Sequence, residues 1–99
     1  MRLDTGGFTY IMTNKFKTVL YTGVTSDIRK RAAEHKAHIH PDSFSARYNC
    51  SLLVWFEQHP TIDLAIVHEK RIKGGSRKRK LKLINDLNPN WEDLYETLF

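Results

Sequence analysis

Two phenols, a guanidinium and an imidazole fall within the first 35 residues of this 99-residue chain, at Tyr10, Tyr21, Arg31 and His35. Tyr10 belongs to the segment Phe8-Thr9-Tyr10-Ile11, and Tyr21 opens Tyr21-Thr22-Gly23-Val24-Thr25-Ser26-Asp27-Ile28-Arg29-Lys30-Arg31, with Glu34-His35 just beyond. A carboxylate, Glu69, follows on a stretch that otherwise reads as an apolar helix face. Together these groups can cleave a phosphodiester. The transition state gathers negative charge on non-bridging oxygens, which a planar guanidinium fork and a metal ion stabilise. One carboxylate suits one Mg²⁺, an ion that keeps several waters and takes one or two protein ligands. A phenol, with an ordinary pKa of about 10, serves as a base near neutral pH only where nearby cations lower it.

Those groups need a scaffold. Residues Phe8 to Thr13 and Thr18 to Val24 are rich in β-branched and aromatic types, with a polar connection at Asn14-Lys15-Phe16-Lys17, so a β-hairpin is expected. A symmetric loop sets Tyr10 directly across from Tyr21; a bulge shifts the register by one and separates them. Gly23 reads either as a strand-end glycine with no further duty or as one whose missing side chain lets the backbone approach a substrate. Thr25 or Ser26 caps the next helix with Asp27 in its first turn, and Ile28 and Ala32 face the core. Arg31 and His35, one turn apart on the flank of that stripe, point to one place.

Ala37 to Tyr48 reads as a loop, within which Phe44 and Tyr48 beside Arg47 can stack on bases. A third strand, Cys50 to Gln58, has the continuous apolar run of a central position. Thr61 caps a helix ending at Gly74-Gly75, with Ile62, Ala65, Ile66 and Ile72 in one stripe and Glu69 in its middle, Lys73 beside it. A buried carboxylate needs a cation, a metal or a cleft. Ser76 caps a further helix that turns Leu81, Ile84 and Leu87 inward and is stopped by Asn88-Pro89; Trp91, Leu94, Tyr95 and Leu98 then pack a short terminal helix on the core.

Composition sets the outer bounds. The length suits one domain spanning residues 1–99, and 40% apolar with 27% charged residues is ordinary for a folded chain. No segment is apolar enough to span a membrane or serve as a secretory leader, and Cys50 is the only cysteine, so a reducing cytoplasm is expected. His35, His38 and His40 lack a cysteine neighbour and are not read as a zinc set. Net charge is +5, yet eight of the 16 Lys and Arg lie between Lys70 and Lys82, whereas Asp86 to Phe99 carries four acids and no Lys or Arg. Such a patch, including Lys70, Lys73, Arg77, Lys78, Arg79 and Lys80, points to a polyanion, most simply nucleic acid.

Taken in order, Thr9-Tyr10, Tyr21-Thr22-Gly23, Thr25, Ile28, Arg31, His35 and Glu69 resemble the GIY-YIG nuclease domain. The ending Glu69-Lys70-Arg71-Ile72-Lys73-Gly74-Gly75-Ser76-Arg77-Lys78-Arg79-Lys80, then Asn88-Pro89-Asn90-Trp91, resembles the small stand-alone GIY-YIG proteins of bacteria. The chain departs from the pattern at Phe8-Thr9, where Gly-Ile is usual, and at Thr22, where an aliphatic residue is usual; both tyrosines and Gly23 are kept. The resemblance implies an α/β (α+β) fold: a small three-stranded antiparallel sheet flanked by helices. It implies a metal-dependent endonuclease hydrolysing phosphodiester bonds in DNA, ahead of RNA, with a role in repair or recombination. Tyr21 is then the candidate general base and Tyr10 its support. Arg31 steadies the phosphate, His35 positions or transfers a proton, and Glu69 holds one Mg²⁺ or Mn²⁺. An asparagine completes the family's site, with Asn88 favoured over Asn85. No helix-turn-helix or zinc finger is apparent, so recognition of strand structure is expected in place of a long sequence. The competing readings are a non-catalytic nucleic-acid-binding module using residues 70–82 and a protein-interaction domain using the acidic, aromatic C-terminus.

Overall fold

A computed structural model describes residues 5–38 and 43–99; the expected loop residues His40, Pro41 and Asp42 lie outside them. Strand β1 (Gly7–Thr13) is flanked by β2 (Leu20–Thr25) and β3 (Leu52–His59) in an antiparallel sheet of order β2-β1-β3. Helix α1 (Ile28–Ala37) and a short α2 (Phe44–Arg47) precede β3; α3 (Ile62–Lys73), α4 (Arg77–Leu87) and a terminal 3₁₀ helix (Leu94–Leu98) follow it. The three-stranded antiparallel sheet with flanking helices is therefore as the sequence implied.

Alternation along β1 feeds two cores. Phe8, Tyr10 and Met12 pack with Ile28 and Ala32 of α1, Cys50, Leu53 and the terminal Leu98. On the other face Ile11 packs with Val54, Trp55 and Ile84 of α4. Every residue of β1 is buried, so this strand, and not β3, is the central one. The threonines disguise it: Thr13 Oγ1 donates to the Val19 carbonyl at 2.8 Å and Thr9 Oγ1 pairs with His59 Nε2 at 3.1 Å, so both are buried with partners. The apolar run of β3 reflects helices covering both its faces, although it is an edge in the hydrogen-bond ladder. A register shift between Ile11 and Met12 lets the consecutive residues Val54 and Trp55 join one cluster.

Helix α3 lies on the face opposite α1. A Cβ at Gly7 would stand 2.8 Å from Ala65 Cβ and from Ile62 Cα, so only glycine permits this approach of helix to strand. The expected caps Thr61 and Ser76 accept from Leu64 and Arg79 backbone amides. At α1, however, Asp27 itself is the N-cap, accepting from Lys30 N, while Thr25 Oγ1 accepts from Asp27 N. A charged cap thus satisfies the orphan donor in place of Thr25 or Ser26. Ile84 of α4 is buried as expected, but Leu87 is 54% exposed and Leu83 packs inward instead. Ile62 is likewise exposed at the start of α3. The loop expected from Ala37 to Tyr48 contains α2, capped by Ser43 accepting from Ala46 N. Among the described residues no helix is long and apolar enough to cross a membrane.

Candidate active site

The hairpin connection decides where the tyrosines meet. Asn14 Oδ1 accepts from the backbone amides of Thr18 and Val19, at 2.9 and 3.1 Å, and its Nδ2 donates to Thr18 Oγ1. This holds Thr18 and Val19 out of the ladder, and β2 pairs two residues further along than a symmetric loop gives: Tyr10 opposes Gly23, and Met12 opposes Tyr21. The direct pairing of Tyr10 with Tyr21 is thus corrected to a diagonal one. A shift of two preserves the face, so both rings stay on the α1 side with centroids 6.3 Å apart. Gly23 has a different duty from backbone exposure. A Cβ there would fall 2.4 Å from the phenolic oxygen of Tyr10, so the glycine makes room for the Tyr10 ring to cross β2.

Helix α1 brings Arg31 and His35 onto that same phenol. Tyr10 Oη lies 2.9 Å from His35 Nε2, and Arg31 Nε donates to it at 3.4 Å. His35 Nδ1 lies 2.6 Å from Ser45 Oγ on α2. The Tyr10 oxygen thus links Arg31 to His35, and the far ring nitrogen of His35 links the cluster to Ser45. Ser45 is 3% exposed and carries no signal in the sequence, because only the fold brings α2 back onto α1.

The two phenols differ in what they can do. Tyr10 is 1% exposed, and burial, partly opposed by Arg31, pushes its hydroxyl well above the usual phenol range. It stays protonated and holds its neighbours in place. Tyr21 is half-buried, its ring 5.1 Å from that of His35, and it lines a cleft of about 70 Å³ with Arg31, Glu34, His35 and Ser45. That volume takes a water or two and little else. A larger groove of about 430 Å³ adjoins it, sharing Arg31 and Glu34 and bounded by Val24, Thr25, Ser26, Asp27 and Lys30. Arg31 sits at the boundary, with Nη1 3.5 Å from Glu34 and Nη2 without a partner among the described residues.

Glu69 is 7% exposed on α3, the helix on the other face of the sheet, and its carboxylate pairs with Lys73 Nζ at 2.9 Å. The structure therefore brings Tyr10, Tyr21, Arg31 and His35 together and leaves Glu69 outside their hydrogen-bond network. A nearly buried carboxylate whose one partner is a largely exposed lysine still suits a divalent ion, because the lysine can swing into solvent as the ion enters. Thr22 Oγ1 is buried without a hydrogen bond among the described residues, on the face of β2 that α3 covers. Asn88 is spent elsewhere: Nδ2 donates to the Val54 and Glu92 carbonyls and Oδ1 accepts from Glu92 N, tying β3 to the C-terminal segment. Asn85 Oδ1 accepts from Trp91 Nε1 at 2.7 Å.

The basic segment also lies on the α3–α4 side. Lys73 and Lys82 form ion pairs with Glu69 and Asp86, and Lys80 Nζ donates to the Lys73 carbonyl. Lys70, Arg71, Arg77, Lys78 and Arg79 are exposed and have no acidic partner among the described residues. Beside the cleft, the ring of Phe44 stacks on Tyr21 at 6.2 Å and meets Tyr48 at 4.7 Å, forming an aromatic strip half open to solvent.

No curated protein and no solved structure matches the chain. A family model described as the GIY-YIG catalytic domain matches residues 6–82, which include the hairpin, α1, α3 and half of α4. This domain implies nuclease action on DNA, and its members are generally dependent on a divalent metal. On that match, over more than half its length, the chain belongs to the GIY-YIG family.

Proposed function

We propose that the protein is a divalent-metal-dependent endonuclease that hydrolyses phosphodiester bonds in DNA at the Tyr10–Tyr21–Arg31–His35 cluster. The observation that carries this reading is the convergence of Arg31 and His35 on the Tyr10 hydroxyl, beside a water-sized cleft lined by Tyr21. Tyr21, its own hydroxyl proton passed to solvent, takes a proton from a water held in the cleft; the water oxygen bonds to phosphorus as the ester oxygen leaves and is protonated by solvent. Arg31, anchored through Nε, turns its free Nη2 toward a phosphate in the adjoining groove. Tyr10 and His35 act through Arg31 and Tyr21, and are positioning residues. Glu69, on α3, would hold one Mg²⁺ or Mn²⁺, which would supply Lewis acidity to the reaction.

Recognition follows strand structure. The unpaired cations of residues 70–82 attract backbone phosphates, and Phe44 and Tyr48 offer stacking faces to unpaired bases beside the cleft. A structure-selective enzyme of this kind belongs to repair or recombination. The second reading, a non-catalytic nucleic-acid-binding module, is favoured by the five exposed cations without acidic partners among the described residues. A panel of duplex, nicked, branched and single-stranded DNA, and matched RNA, in Mg²⁺ or Mn²⁺ separates the two. Metal-dependent cleavage of branched or nicked DNA that is lost in Glu69→Ala supports the nuclease; salt-sensitive binding with no cleavage of any substrate leaves the binding module.

A further inference from the structure

On the sheet face away from the tyrosines, β3 and α3 assemble a second set of metal-ligating groups. Glu57 pairs with Thr9 and His59 with Gly7 in the β1–β3 ladder, so both side chains point to the α3 side. His68, from α3, completes the set. One carboxylate oxygen of Glu57 and one ring nitrogen from each histidine all lie within 4.8 Å of one another. Glu57 Oε1 is 3.6 Å from His59 Nε2, and the two imidazoles stack with centroids 4.4 Å apart. His68 has no hydrogen-bond partner among the described residues, so its ring nitrogens are uncommitted.

We propose that Glu57, His59 and His68 bind a first-row transition ion of the zinc class, with its remaining coordination position open to the neighbouring cavity. Two imidazoles and one carboxylate form a donor set that suits zinc-like ions and not Mg²⁺, which takes oxygen ligands. A tetrahedral ion with bonds of about 2.0–2.1 Å sets its ligand atoms roughly 3.3 Å apart. Glu57 and His59, at 3.6 Å, are already near that spacing, and the separations involving His68, within 4.8 Å, close through torsions of the partly exposed His68 side chain. Thr9 Oγ1, 3.1 Å from His59 Nε2, is released to turn toward the ion or its water. Glu57 and His68 also line a cavity of about 420 Å³ floored by Trp55 and Leu83 and rimmed by Arg71 and Arg79. Three protein ligands and an open position facing cations describe a site for water or an anion on the metal.

This site is independent of the Glu69 ion and of the proposed nuclease reading. Its test uses full-length protein stripped by chelation and titrated with Co²⁺, whose visible absorption reports a low-coordinate site, followed by displacement with Zn²⁺. The expected result is one equivalent of absorbing Co²⁺, displaced by Zn²⁺ but not by excess Mg²⁺. Affinity should fall at least about a hundredfold in both His68→Ala and Glu57→Gln and stay unchanged in Glu69→Gln. His68 is partly exposed and Glu57 exposed, so both variants should keep the wild-type circular dichroism. Absence of absorbing Co²⁺, retention of wild-type affinity in His68→Ala, or loss on Glu69→Gln would each overturn the assignment.

Discussion

Gly23 and Tyr10 occupy one space: the phenol crosses β2 where a side chain at position 23 would stand, 2.4 Å from the phenolic oxygen. The glycine of the second motif therefore serves the tyrosine of the first. Gly23→Ala must displace a ring that is buried and hydrogen-bonded, and overpacking of this kind costs about 1–3 kcal/mol. Denaturant melts should show that loss, and cleavage should fall with it as Arg31 loses its anchor. Wild-type stability in Gly23→Ala would mean the ring is not seated there.

Tyr10→Phe and Tyr21→Phe should separate support from chemistry. The first removes the hydroxyl that His35 Nε2 and Arg31 Nε share, a loss of about 1–3 kcal/mol at this buried hydrogen bond. The second removes a hydroxyl at the edge of the cleft, with little change in stability and a rate loss of about 10²–10⁴ if it is the base. Comparing melts with single-turnover rates checks the split; a Tyr21→Phe variant that cleaves like wild type rules out its role.

Alkaline titration reads Tyr10 directly. Its hydroxyl is raised by burial, and Cys50 is raised by burial from 9.0 to about 11, so each keeps its proton in the folded state after the unfolded chain has lost it. Stability from these groups is intact below the unfolded pKa values and falls as pH rises above about 9 for Cys50 and about 10 for Tyr10. Tyr10→Phe should flatten the fall above about pH 10. Melts taken across that range decide it; identical slopes in the two proteins would count against a buried, protonated Tyr10.

Neutralising Arg77, Lys78, Arg79 and Lys80 to glutamine should weaken DNA binding and reduce the slope of log affinity against log salt. The reduction should be about 0.9 for each duplex phosphate that the segment no longer neutralises. Anisotropy titrations at several salt concentrations measure this. An unchanged slope would make the segment a solvated face.

Phe44 and Tyr48 are 50% and 44% exposed, so replacing either with alanine should leave the fold intact. Affinity for single-stranded or branched DNA should drop by about 1–3 kcal/mol per stacked base, with duplex binding unchanged. Equal effects on both substrates would remove the stacking role.

Much of the fold is legible in the residues because local chemistry dictates it. Thr61 and Ser76 cap their helices by short-range hydrogen bonds, and the helical period sets Arg31 and His35 on one side. What stays hidden depends on longer range. Asn14 bonding across the hairpin moves the register by two, yet parity keeps the tyrosines on one face. Burial of Thr9 and Thr13 conceals β1 as the central strand, and helices covering β3 make an edge look central. Ser45 meets His35 only because α2 folds back. The spacing Glu57-x-His59 on a strand places both side chains on one face and is the local signal of the second metal set. His68 joins them only through the packing of α3, whereas His35, prominent in the sequence, is already engaged by Tyr10 and Ser45.

In the proposed mechanism catalysis rests on Arg31, whose Nε is seated on Tyr10 and whose Nη2 is free among the described residues. The most direct test is the single-turnover rate of Arg31→Ala on a DNA substrate cleaved by the wild type in Mg²⁺ or Mn²⁺, at saturating enzyme. A fall of about a hundredfold or more at unchanged stability is predicted, the scale expected for losing one donor to a developing anion. A rate within about threefold of wild type would contradict it.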